Sequence, residues 1–179
     1  MESSEFQSLV KTGRRSPLWP PGNGRLQVEI GQGAIERILP HRAPFLLVDA
    51  ITEIDLTGEC IRGRRRIAPD DPVFVGHFPG EPIYPGVLQL ETMGQLGLCL
   101  MYFNATGSTH IAEDATPRRV RALKVHHALF LAEVLPGDEL EVIAKLISAD
   151  DYTAVCAGQL LKGESICAFA ITEVYLVDN

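Results

Sequence analysis

The chain has 179 residues, 46% hydrophobic and 22% charged, which suits one soluble domain with a sizeable core. Its net charge of −7 argues against general nucleic-acid binding, so an acidic partner would need a local basic patch. Four cysteines (Cys60, Cys99, Cys156, Cys167) show no CxxC spacing and no Cys/His cluster suggesting zinc, so reduced thiols in a cytoplasmic protein and no metal are expected.

Residues 1–24 read as an N-terminal extension ahead of a single domain over 25–179. Phe6, Leu9 and Val10 follow Ser3 and Ser4 at helical spacing, which predicts a short helix. The opening Met-Glu-Ser-Ser-Glu-Phe lacks the basic-then-apolar pattern of a signal peptide. Ser16-Pro17-Leu18-Trp19-Pro20-Pro21-Gly22 cannot hold a regular element. Two readings of the extension stand open: a flexible tail, or an arm packing Phe6 and Trp19 on a partner subunit.

Ala34–Leu39 predicts a short helix ended by Pro40. Phe45–Ile54 and Glu59–Ile67 predict two strands joined by a turn at Leu56-Thr57-Gly58. The proline-rich stretch from Ala68 to Pro85 is a loop, and Gly86 opens a helix running to about Phe103, with Pro85 as its start signal. Asn104–Arg119 is a polar surface loop. Four strands follow, Arg121–Leu131, Glu139–Ala149, Tyr152–Leu161 and Ser165–Val177, with turns at Pro136-Gly137-Asp138, Asp150-Asp151 and Lys162-Gly163-Glu164. Two strands, one long helix and an antiparallel meander imply an α+β fold with the sheet wrapped around the helix.

Val87, Leu88, Leu90, Met93, Leu96, Leu98, Leu100, Met101 and Phe103 cover every side of the long helix, which marks it as a core helix. Gln89, Glu91, Thr92 and Gln95 interrupt it, so it is not a membrane span. Glu91 must face a pocket, pair with something, or be protonated, because a charged carboxylate is costly in apolar surroundings. No Lys or Arg lies between Glu81 and Arg118, and Gln95, one turn on, is its nearest polar neighbour. His77 precedes it by 14 positions in a Gly/Pro-rich stretch. A histidine and a protonated carboxyl form an acid/base pair. The N–H groups at Gly86, at a helix start, suit a developing oxyanion, and glycine admits a ligand close to the backbone. Taken singly, each has a plainer reading: a surface histidine, a tolerated glutamate, an ordinary helix start. As a set they match proton chemistry α and β to a carbonyl.

Three segments carry a family resemblance: Leu39-Pro-His-Arg-Ala-Pro-Phe-Leu-Leu-Val-Asp49, the long run Gly76-His-Phe-Pro-Gly-Glu-Pro-Ile-Tyr-Pro-Gly-Val-Leu-Gln-Leu-Glu-Thr-Met-Gly-Gln95, and the weaker Val134-Leu-Pro-Gly-Asp138. From about Ile35 onward the chain resembles the 3-hydroxyacyl-(acyl-carrier-protein) dehydratases of bacterial type II fatty-acid synthesis. The resemblance implies a hotdog fold, a curved antiparallel sheet around a central helix. It also implies a homodimer with shared sites, as a simple pair or a trimer of dimers. His77 of one protomer would take the C2 proton of a (3R)-3-hydroxyacyl thioester. Glu91 of the other would protonate the leaving C3 hydroxyl, giving a trans-2-enoyl thioester and water. The Gly86 N–H would hold the thioester carbonyl, the Ile83 carbonyl would fix the histidine tautomer, and Gln95 would support the acid. No cofactor is implied beyond the phosphopantetheine arm of the acyl carrier protein. Neither nucleic acid nor membrane is an expected partner. Dehydratase/isomerases of this superfamily carry Asp at the acid position, so Glu91 fits the dehydratase-only type.

The chain departs from the family pattern in its additional N-terminal 24 residues, in the 104–119 insertion and in two motifs. Glu91-Thr92-Met93-Gly94-Gln95 stands where Glu-Ala-Met-Ala-Gln is usual, and Leu129-Phe-Leu-Ala-Glu133 replaces a commonly basic strand near a carrier-docking surface. Both suggest a specialised pathway, such as polyketide synthesis. Arg62, Arg64, Arg65 and Arg66, or Arg118, Arg119 and Arg121, would then meet an acidic carrier or its phosphate, or else form solvated sheet faces. His126 and His127, adjacent on a strand, should point to opposite faces. His41 and Arg42 are read as a structural loop brace. Phe78 and Tyr84 flank the site as gates of an acyl tunnel or as core aromatics. Two other functions remain as alternatives: a thioesterase on the same scaffold, and a non-catalytic acyl-binding subunit.

Overall fold

The computed structural model describes residues 2–19 and 25–177. Pro20-Pro21-Gly22 of the predicted irregular segment, and the side chain of Ser3, lie outside the described residues. The elements run α1 (Glu2–Gly13), β1 (Leu26–Gly31), α2 (Gln32–Ile35), β2 (Ala50–Asp55), β3 (Cys60–Arg66), α3 (Gly86–Thr106), β4 (Val120–Phe130), β5 (Glu139–Ala149), β6 (Thr153–Lys162) and β7 (Ser165–Leu176). All seven strands join one antiparallel sheet in the order β1-β2-β3-β5-β6-β7-β4. The 21-residue α3 lies across β3, β5, β6 and β7. This is the hotdog arrangement, an α+β fold with its sheet around one helix.

Alternation along the strands makes both faces of the sheet apolar. Val142, Ala144, Ala154, Cys156, Leu160, Ala168 and Ala170 face α3, packing with Met93, Leu96, Leu100 and Phe103. A Cβ at Gly158 would lie 2.6 Å from Met93 Cβ, so glycine there sets how closely α3 approaches β6. The intervening residues Ile143, Val155, Ala157, Leu161, Phe169 and Ile171 face outward. Left bare, they would form an apolar patch of the kind soluble proteins rarely expose. The N-terminal segment covers them. Phe6, Leu9 and Val10 of α1, with Leu18, pack on Val155, Ala157, Phe169 and Ile171, while Trp19 seals Ile143 and Leu161. The segment is therefore neither a free tail nor, within the chain described, an arm reserved for another subunit.

The short helix occupies Gln32–Ile35 where Ala34–Leu39 was expected, α3 runs on to Thr106, and three further features differ from the sequence reading. β1 had no counterpart in it; the strand is an edge, and only Val28 and Ile30 of its alternating apolar residues are part-buried. Residues 45–49 form no strand: Gln95 of α3 takes the Leu47 N–H and the Phe45 carbonyl, and only at Asp49, whose N–H bonds the Arg64 carbonyl of β3 (3.0 Å), does the chain join the sheet. α3 is not enclosed on all sides: Val87 is 70% exposed, and Leu90, Glu91, Gly94, Leu98 and Met101 are half-buried along one stripe. The outer edge of β4 is also unpaired, with Leu123 and Val125 exposed.

Candidate active site

Two depressions flank β4, one at each end. The first, about 510 Å³, is lined by His77, Ile83, Tyr84, Gly86, Val87, Gln89, Phe130, Leu131, Ala132 and Glu133. The second, about 250 Å³, is lined by His41, Val87, Leu90, Glu91, Gly94, Gln95, Val120, Ala122 and Lys124 among others.

In the first, the loop that carries His77 folds back on itself. The Ile83 N–H donates to the His77 carbonyl (3.0 Å), and His77 Nδ1 lies 2.8 Å from the Ile83 carbonyl. A carbonyl only accepts, so Nδ1 bears the proton and Nε2 keeps its lone pair. The Phe78 ring stacks on the imidazole, centroids 4.0 Å apart, and is itself half-exposed. Gly86 begins α3. The Leu88 and Gln89 N–H groups bond to the Pro85 carbonyl, whereas those of Gly86 and Val87 have no acceptor among the described residues. A Cβ at Gly86 would meet the Phe130 ring at 2.8 Å, so glycine lets β4 close over the helix start.

Tyr84 contributes to the wall of this groove, with its side chain buried (1% exposed), its N–H donating to the Val134 carbonyl (2.7 Å) and its ring beside Phe74. Burial pushes its phenol up from the usual range. Phe78 lines a separate depression, with Pro69, Asp71, Phe74 and Pro136.

In the second depression, Gln95 is saturated. Its Oε1 accepts from Leu47 N (2.7 Å), and its Nε2 donates to the Phe45 carbonyl (2.8 Å) and to Glu91 Oε1 (2.9 Å). His41 Nε2 lies 3.3 Å from the same carboxylate oxygen, while His41 Nδ1 is buried without a partner. Of the readings open for Glu91, the pairing with a side chain from a distant segment is met by His41, and the one expectation corrected here is that of His41 as a loop brace alone. Nor is the carboxyl deeply enclosed, since its side chain keeps a third of its surface open (33%). Oε2 has no partner among the described residues. The two departures next to the acid also separate. Thr92 is buried and bonds back to the Leu88 carbonyl (2.7 Å), facing the core, whereas Gly94 lines the depression and a Cβ there would meet nothing within 4 Å.

His77 and Glu91 do not share a depression within one chain. Three of the four arginines of the first basic run are paired with carboxylates, while Arg66 is exposed and has no carboxylate partner among the described residues. Arg62 is buried beneath Trp19 and pairs with Glu53 and Glu141, Arg64 pairs with Glu29, and Arg65 pairs with Asp49. His126 and His127 do not alternate as expected. A bulge between Val125 and His127 turns both rings onto Phe6, at 4.9 and 6.4 Å, and His126 Nε2 bonds Glu173 (2.8 Å).

Comparison with known proteins bears on this arrangement. Residues 39–170 match the model of the FabA-like domain. The chain belongs to the FabA-like family. It is 36% identical over 145 residues to a 3-hydroxyacyl-(acyl-carrier-protein) dehydratase FabZ of Nitratiruptor sp., covering 81% of this chain and 96% of that protein. It is 38% identical to the protein of the same name from Sulfurimonas denitrificans, over 81% and 95% of the two chains. Among solved structures, the dehydratase heterocomplex ApeI:P of Xenorhabdus doucetiae aligns with a TM-score of 0.61 at 17% identity, covering 81% of this chain and 91% of that one. A hypothetical thioesterase of Streptococcus pneumoniae with coenzyme A aligns at 0.51 and 7%, covering 68% and 81%. The last two likenesses speak for the fold alone.

Proposed function

We propose that the protein dehydrates a (3R)-3-hydroxyacyl thioester borne on an acyl carrier protein, at sites each built from two chains. The observation that carries this reading is the placement of a tautomer-fixed histidine and a braced glutamate at opposite ends of one unpaired edge strand. If two copies join antiparallel along β4 about a centre near Val125, residue 130 of one comes opposite residue 120 of the other. The His77 groove of one then meets the Glu91 depression of its partner. The same motion covers the open stripe of α3. Such a pairing is isologous and yields two equivalent sites.

In each site His77 Nε2 removes the C2 proton. The electrons of that C–H bond form the C2–C3 double bond as the C3–O bond breaks. The departing hydroxyl takes the proton held on Glu91 Oε2 and leaves as water. Gln95 and His41 occupy Oε1, which leaves Oε2 as the oxygen free to carry that proton. The Gly86 N–H receives the negative charge that builds on the thioester oxygen. Exchange with water resets both groups. The residues present supply an acid, a base and an anion-stabilising dipole, the full requirement of a β-elimination. Membership of a FabA-like family and relatives named FabZ dehydratases support the reading.

The test is turnover of 3-hydroxyacyl carrier thioesters, followed by the enoyl product and its mass. H77A and E91Q should each be nearly inactive. Co-expressed, the two variants should regain about a quarter of wild-type turnover, since half of random dimers are mixed and each rebuilds one site. Absence of any recovery would refute the shared site. Release of free thiol in place of enoyl product would point to a thioesterase instead.

A further inference from the structure

We propose that α1 is a clamp between two copies of the chain, with Phe6 packing against the partner's Leu123 on the outer face of the seam. This rests on the two-chain reading above. The first observation is how far α1 reaches. The family match begins at residue 39, so α1 is an addition to the shared domain. Its C-terminal end is held over the middle of the sheet. Gly13 abuts the Phe169 ring of β7, and the fully buried Gln159 of β6 donates to the Gly13 and Ser16 carbonyls. Leu9 and Val10 pack on the outward apolar residues of β6 and β7. Phe6 extends past them to the unpaired edge strand. Its ring stands edge-on to His126 and His127 of β4, at 4.9 and 6.4 Å, and remains half-buried.

The second observation is an apolar side chain left bare on that same face. Ala122 pairs with Val174, which packs inward on the core. Lys124 pairs with Glu173, whose carboxylate is held by His126 on the outer face. Leu123 is the extra residue between these two pairs. Alternation from Ala122 turns it outward, and it is 55% exposed.

The seam brings the two features together. With β4 paired antiparallel about Val125, residue 127 of one chain lies opposite residue 123 of the other. Residues directly opposite share a face, with Cβ atoms about 4.5–5.5 Å apart. His127 pairs with the outward Ile171 in its own chain, so it too faces outward. The partner's Leu123 therefore lands beside His127, where Phe6 already stands. Two-fold symmetry repeats the contact on the other side of the axis. Each copy covers a leucine that its partner cannot cover alone, and α1 extends the interface beyond the edge strand. A site divided between chains is lost when they part on dilution, so the clamp protects activity as well as assembly.

The experiment is a double-mutant cycle on the dimer Kd, read by sedimentation. L123A should weaken the dimer about ten-fold with the circular dichroism of the chain unchanged, since the side chain is exposed in a single copy. F6A should weaken it comparably, and F6A/L123A no more than the larger single loss, because both remove one contact. Losses that multiply in the double variant, or a Kd indifferent to L123A, would overturn the clamp. Proximity is read separately by co-expressing F6C chains with L123C chains and adding a short bismaleimide. The four native cysteines are buried, so a covalent pair joined through positions 6 and 123 is expected, with none from L123C alone. Absence of that cross-link would also overturn the clamp. A wild type that stays monomeric at every concentration sinks the clamp and the shared site together. A wild-type dimer that passes the cycle and the cross-link yet leaves 3-hydroxyacyl thioesters untouched supports the clamp and fails the dehydratase reading alone.

Discussion

The two ends of β4 hold their reactive groups by different means. The His77 ring nitrogen is fixed by backbone, through a carbonyl six residues on, with the Phe78 side chain stacked on its face. Glu91 is fixed by side chains, with Gln95 and His41 both on one carboxylate oxygen, and Gln95 anchored in turn to the 45–47 segment. A backbone brace survives most substitutions around it. A side-chain brace can be removed one member at a time. The base half should therefore respond to substitution in an all-or-none way, and the acid half in grades.

The largest effects are expected at the reacting groups. H77A and E91Q should each lower kcat by about 10²–10⁴-fold with little change in urea midpoint, since both side chains are part-exposed. A strong loss of stability in E91Q would break the contrast by showing that the acid serves the fold. Q95L comes next. It strands the Leu47 N–H and the Phe45 carbonyl, so it should cost about 2–3 kcal/mol in denaturant unfolding as well as activity. H41A should cost less stability than Q95L and lower kcat while leaving KM nearly fixed, because it acts through Glu91. If H41A matched wild type in kcat, the bracing role assigned to His41 would be wrong.

G94A probes the depression without disturbing its walls. A Cβ there meets nothing within 4 Å, and alanine favours a helix interior over glycine by about 1 kcal/mol. Thermal stability should rise slightly while preference shifts toward smaller acyl groups, read by competing substrates of several lengths. The smallest expected effect is on stability at high pH. Burial pushes the Cys60 thiol up to about 11 and the Cys156 thiol up to about 12, against about 8.5 for a free thiol. Once the pH passes the free-thiol value the unfolded chain gives up protons that the native chain keeps, so this part of the stability is complete below about 8.5 and declines above it. Urea midpoints between pH 7 and 10 would show it, with C60A and C156A flattening the decline.

Much of this was readable before any coordinates. The start of α3 at Gly86 after Pro85, the hairpin turns and the four C-terminal strands follow from local chemistry, with boundaries shifted by one or two residues. β1 escaped because an edge strand with one weakly buried face has little periodicity to show. Residues 45–49 misled because an extended apolar run looks the same whether its partner is a strand or the amide of Gln95. In the site, His77, Ile83 and Gly86 line one groove, as the family resemblance implied. His41 was undervalued because its contact spans fifty positions of chain, and nothing near Glu91 in the sequence announces it. The surplus of outward apolar residues on β5, β6 and β7 was itself a signal that something must cover the sheet. Phe6, Leu9, Val10, Leu18 and Trp19 are the N-terminal apolar residues that do so.

The chain contains a single tryptophan, and it lies neither in α3 nor at either reactive group. Trp19 is nearly buried, with the guanidinium of Arg25 4.3 Å from its ring centroid. Its emission is consequently a built-in optical gauge of whether the N-terminal segment rests on the sheet. Detachment of that segment would register as a red shift before the rest of the molecule melts.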